Sequence, residues 1–121
     1  MNFDDAISAH VDWKAKLRTY IKKADKSLNP DFVEKDNECS LGKWIYKEGA
    51  QYQSNEHYKS LKEEHAEFHK CAARVIRKID EGNIAEAEAM IDAKSKYTEL
   101  STNVVTKIRK MRDEIQKNKP K

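Results

Sequence analysis

The sequence predicts an all-α protein: a four-helix bundle with an additional short helix, bearing a cysteine, after the first long helix. Three observations carry that prediction. Hydrophobic residues make up 38% of the chain and charged residues 37%, against roughly 45–50% and 25% in ordinary domains, so the core is narrow and the surface heavily solvated. Only three Gly and two Pro occur among 121 residues, too few for the strand-and-turn rhythm of a sandwich or barrel. Apolar residues recur at three-and-four spacing along most of the chain, the period of a helix that buries one face.

The first helix is expected from Phe3, with Ile7, His10, Val11, Leu17, Tyr20, Ile21, Ala24 and Leu28 on its stripe. Asn29-Pro30 is expected to end it, because proline removes a backbone donor and disfavours helix in the residue before it. Residues 30–40 hold no sustained period and read as a connection. A short helix follows over about Ser40–Lys47, with Leu41, Trp44 and Ile45 inward and Gly49 as its stop. The third helix opens near Ser54 or Asn55, both good N-caps, and carries Tyr58, Leu61, His65, Phe68, His69, Ala72, Val75, Ile76 and Ile79 before Gly82-Asn83 closes it. Asn83 with Glu86 resembles a capping box, opening a fourth and longest helix whose stripe runs from Ile84 through Ile91, Tyr97, Leu100, Val104, Ile108 and Met111 to Ile115. Residues 1–116 read as one domain and 117–121 as a polar tail.

Composition also narrows function. Lys and Arg total 24 against 21 Asp and Glu, a mixed surface and not the basic stripe that nucleic acid demands. No apolar run approaches the roughly 18–20 residues of a membrane span, and two aspartates stand where a signal peptide carries lysines, so the expectation is a cytoplasmic protein without membrane contact. In that compartment Cys39 and Cys71 are expected to stay reduced.

His65 and His69 lie four residues apart, which on a helix turns the second imidazole only about 40° from the first, one turn along. Both fall on the stripe of Leu61, Phe68, Ala72 and Ile76, where an unpaired polar ring costs a few kcal/mol. His10 occupies the inward stripe of the first helix, and an antiparallel neighbour would bring it level with the pair. Cys39 sits at the start of the short helix, where a thiolate gains from the N-terminal amides. One thiolate and three imidazoles make a four-coordinate set suited to zinc over magnesium or calcium. Such a set leaves no open position for water, which argues against an enzyme. His57 reads as an exposed helix residue, Cys71 as a small packing residue, Trp13 and Trp44 as packing around the site, and Lys107–Arg112 as a solvated face.

These residues also carry a family resemblance. His10 with Trp13 (H-V-D-W), then Cys39-Ser-Leu-Gly-Lys-Trp44, then His65-Ala-Glu-Phe-His69 resemble the chemoreceptor zinc-binding (CZB) domain, the C-x-L-G-x-W element being the specific part. The resemblance implies a four-helix bundle holding one zinc through one Cys and three His, which fall here on His10, Cys39, His65 and His69. It further implies attachment to bacterial chemoreceptors or diguanylate cyclases, a response to zinc or to oxidants such as hypochlorite, and frequent dimerisation. The chain itself holds no cyclase domain, methylated coiled coil or transmembrane receptor region, so it reads as a free-standing member or an excised domain whose output the resemblance does not specify.

The leading expectation is therefore a zinc-binding sensory module acting on a signalling partner, with Cys39 as its oxidisable element. A homodimer is expected as well, because Val104 and Val105 widen the stripe of the last helix beyond what one neighbour needs. Two alternatives compete. A hemerythrin-like di-metal bundle wants Glu-x-x-His elements, yet the residues three before His65 and His69 are Lys62 and Ala66, and the last helix has no His. A purely structural zinc dimerisation module shares every ligand and differs only in whether the metal exchanges.

Overall fold

The computed structural model describes residues 2–117. Among them are six α-helices and no strand. Helix α1, Phe3–Lys23, opens on Asn2, whose side chain accepts from the Asp5 N–H at 3.0 Å. Asp4 and Asp5 in its first turn and Lys22 and Lys23 in its last complement the helix dipole. It ends at Lys23 and not at Leu28 as the periodicity predicted. Ala24 takes a left-handed φ of 45°, donates to the Tyr20 carbonyl at 2.7 Å, and hands over to an Asp25–Ser27 turn. The Tyr20 hydroxyl donates to Asp80 Oδ1 at 2.6 Å, pinning this end of α1 to the end of α4.

The stretch expected to be a connection contains α2, Pro30–Glu34. Asn29-Pro30 therefore opens a helix. The Asn29 side chain accepts from the Asp31 and Phe32 N–H groups, and the missing N–H of proline costs nothing in a first turn. Arg77 of α4 holds α2 in place through Asp31 at 3.0 Å and Glu34 at 2.8 Å. Helix α3, Ser40–Tyr46, is followed by a 3-10 turn over Glu48–Tyr52. Gly49 lies in that turn as a contact requirement, since a Cβ there would stand 2.8 Å from the Trp44 ring.

Helix α4, Glu56–Asp80, is the longest at 25 residues, capped by Asn55 accepting from the His57 and Tyr58 N–H groups. The predicted single fourth helix is two, α5 over Ile84–Met90 and α6 over Lys96–Lys117. Local side chains outcompete the helix between them: Asp92 Oδ1 accepts from the Lys94 N–H at 2.8 Å, and Ser95 Oγ accepts from the Thr98 N–H at 3.2 Å. The capping box is not formed either. Asn83 makes no cap bond, and Glu86 pairs instead with Lys78 at 3.5 Å.

Helix α4 packs against α6, α2 and α1 and forms the centre of the core. Val104 and Val105 are both buried within this one chain, so the widened stripe is covered without a partner. The polar tail expected at 117–121 lies outside the described residues except for Lys117, which ends α6.

Candidate metal centre

His10 projects from α1, and its Nδ1–H donates to the Ala6 carbonyl one turn back at 2.7 Å. His69 on α4 donates its Nδ1–H to the Val33 carbonyl of α2 at 2.8 Å. A carbonyl only accepts, so both rings carry their proton on Nδ1 and present a bare Nε2. Those two nitrogens meet a third: His65 Nε2 lies 3.1 Å from His10 Nε2 and 3.0 Å from His69 Nε2. Cys39 Sγ closes the group, 3.3 Å from His65 Nε2 and 3.6 Å from His69 Nε2. All four donor atoms lie within 4.8 Å of one another.

In the metal-free chain a proton on His65 Nε2 and the Cys39 thiol proton can bridge these donors, and a bound cation would replace both. A tetrahedral zinc with bonds of about 2.05 Å to nitrogen and about 2.3 Å to sulfur requires edges of about 3.3 Å (N to N) and about 3.6 Å (N to S). The close separations here approach those edges, and the donors are all nitrogen or sulfur, so the residues fit zinc.

Burial governs the protonation of the set. It pushes His10 down to about 4, against the raising effect of its bond to Ala6, and His65 to about 2, with His69 and His10 adding to the shift. His69 is lowered for the same reason despite its Val33 bond. Cys39 caps α3 and accepts from the Gly42 N–H at 3.3 Å. The helix-start amides expected to favour its thiolate are thus present, yet burial outweighs them and pushes the thiol up. Zinc loading must accordingly displace the thiol proton.

The local sequence explains how Cys39 reaches this place. A Cβ on Gly42 would sit 1.8 Å from the Asp36 carbonyl oxygen, so only glycine lets the first turn of α3 lie against the 36–37 backbone. Leu41 is fully buried beneath it. Trp44 anchors the other end, edge-on to Phe3 at 5.4 Å and stacked on Tyr52 at 6.0 Å. Tyr58 ties α4 to α3 by donating to the Ile45 carbonyl at 2.7 Å.

The remaining candidates lie elsewhere. His57 is half-buried and pairs with Glu114 at 3.5 Å, outside the cluster. Cys71 is buried, and both cysteines are free. Trp13 is partly buried, with Lys16 Nζ 4.9 Å from its ring centre. In the Lys107–Arg112 run, Ile108 and Met111 are buried, Arg109 and Lys110 are exposed, and Arg112 bonds Asp4 at 2.8 Å. Two participants escaped sequence reasoning, the Ala6 and Val33 carbonyls. Backbone acceptors carry no residue-type signal, although Asn29-Pro30-Asp31 reads as N-cap, N1 and N2 of the helix that supplies Val33. His65 Nδ1 is buried with no hydrogen-bond partner, so it is the one imidazole of the three without such support.

The family model of the chemoreceptor zinc-binding domain matches residues 10–76, more than half of the chain and all four donors. The chain belongs to that family. No curated protein and no solved structure matches it. CZB domains bind zinc and are regulatory, not catalytic. Among the described residues, no helix is long and apolar enough to cross a membrane.

Proposed function

We propose that this CZB domain holds one zinc ion through His10, Cys39, His65 and His69, and that zinc occupancy or the oxidation state of Cys39 sets the activity of a signalling partner of chemoreceptor or diguanylate cyclase type. The observation that carries the reading is the convergence of three inward imidazole nitrogens and one sulfur within 4.8 Å of one another, with four of the six separations at 3.0, 3.1, 3.3 and 3.6 Å, close to tetrahedral edges. Bound zinc would supply positive charge to these converging donors and would keep the sulfur as thiolate, the form that reacts with oxidants. Hypochlorous acid then transfers oxygen to sulfur, giving a sulfenic acid and chloride. The weaker donor loosens the α3 segment that Cys39 begins.

Four protein donors leave no position for substrate, so the domain is read as a non-enzyme acting in the cytoplasm. Residues 1–116 are read as one four-helix-bundle domain. A homodimer belongs to the reading through the family resemblance alone, since the valine pair is already covered. The di-metal alternative has less support, because the one metal-binding group among the described residues contains no carboxylate.

Elemental analysis of protein purified without added metal tests the assignment, with one zinc per chain expected. Two metals per chain, or iron in place of zinc, would overturn it. Competition against a chelator of known affinity separates an exchanging sensor from a permanent structural zinc.

A further inference from the structure

The four donors are not equally reachable. His10, His65 and His69 keep 2%, 0% and 4% of their surface, whereas Cys39 is half-buried. Cys39 and His10 both line one cleft of about 450 Å³ between the first half of α1 and the start of α3; His65 and His69 do not line it. Ala9 and Trp13 form part of its α1 wall. Its charged residues are Asp5 and Glu38 against Lys16, all three exposed, so the rim is net negative. A water occupies about 30 Å³ of liquid, so a partly hydrated divalent cation or a small neutral electrophile fits this volume. The rim raises the local concentration of cations and disfavours anions.

We propose that zinc enters and leaves through this cleft, across the Cys39–His10 edge of the centre, and that thiol reagents reach Cys39 by the same route. The side chain at position 9 sets its width. The proposal rests on the four-donor zinc reading above. It differs from that reading in concerning rates: a blocked route slows loading and release together and leaves the equilibrium untouched.

The test is Ala9→Trp, an exposed position whose new ring fills the cleft without entering the core. Zinc transfer to a chromogenic chelator and alkylation of Cys39 by iodoacetamide in metal-free protein should each slow about tenfold or more, with one zinc per chain retained at unchanged affinity. Ala15→Trp, on the same helix but outside this cleft, should leave both rates unaltered. Unchanged rates in Ala9→Trp, or equal slowing in Ala15→Trp, overturn the route. Glu38→Lys, a substitution on the exposed rim of the cleft, keeps the test valid if the tryptophan variants do not fold. Zinc loading should then slow several-fold at low salt and recover at about 0.5 M salt, where screening is nearly complete; a loading rate indifferent to this charge reversal overturns the proposal. Absence of zinc from the unsubstituted protein would instead overturn the metal reading, and the alkylation arm would still decide the route.

Discussion

Toward α6, Phe68 of α4 lies against Tyr97 with ring centroids 5.3 Å apart, and Val104, Ile108 and Met111 of α6 are fully buried. Toward α1 and α3, His65 and His69 face His10 and Cys39, with the Phe68 ring between the two regions, 5.4 Å from that of His10. The α6 side is stabilised by non-directional burial, at about 1.5–3 kcal/mol for each large apolar side chain. The α1–α3 side spends core volume on polar rings, two of which present a bare Nε2 to the site. Its two short helices, of 5 and 7 residues, are below the length at which isolated helices persist. One half of the core is thus held by apolar burial alone, while the other, in the reading proposed above, gains its order from a bound cation.

The largest expected effect separates the two sides directly. His65→Ala or His69→Ala should weaken zinc binding more than about 100-fold, above the 10–100-fold typical of losing an outer-shell support, whereas His57→Ala should leave the affinity nearly unaltered in chelator competition. Equal losses at all three positions would break the assignment. Zinc removal comes next. A hundredfold excess of ligand over its dissociation constant stabilises a site by about 2.7 kcal/mol, so amide exchange after chelation should accelerate in α2, α3 and the first half of α1 while α4 and α6 stay protected. Uniform acceleration along the chain would show that the two sides form one cooperative unit.

Gly42→Ala sharpens the comparison from the backbone. The Cβ would collide with the Asp36 carbonyl, and the forced shift should cost about 2 kcal/mol in urea unfolding and reduce zinc affinity by moving Cys39. Acid should act on the same side. All three site imidazoles are depressed in the folded chain, so between about 6.5 and those lower values the unfolded chain binds more protons. The metal-free protein is therefore at full stability above about pH 6.5 and loses it as pH falls toward 4, at up to about 1.4 kcal/mol per pH unit for each imidazole. A urea midpoint equal at pH 7.5 and 5.5 would contradict that. The smallest effect belongs to the apolar side: the Tyr97 hydroxyl is buried without a partner, so Tyr97→Phe should be neutral or stabilising by about 1 kcal/mol, with zinc affinity unchanged.

Much of this was readable along the chain. The His65/His69 spacing, the Asn55 cap and the Cys39-Ser-Leu-Gly-Lys-Trp44 element are local patterns, and the structure places each on the helix or helix start that its spacing predicts. Where the reading failed, two local signals competed. Pro30 both terminates and initiates helices, and only Asn29 bonding forward to Asp31 and Phe32 shows which role wins. The break at 91–95 lies inside an apolar stripe that continues across it, and the Asp92 and Ser95 hydrogen bonds outcompete that period.

The sequence by itself determined an all-helical chain, the identity of the four donors brought together, and the family, because each follows from residue types at short fixed separations. Tertiary structure alone decided which imidazole nitrogen faces inward, since that depends on carbonyls supplied by Ala6 and by Val33 of a helix hidden in an apparent loop. It also decided that Val105 is covered within the chain and that Cys39 and His10 share a cleft. Burial and the meeting of distant backbone groups are properties of packed helices, and no periodicity along one strand of sequence encodes them.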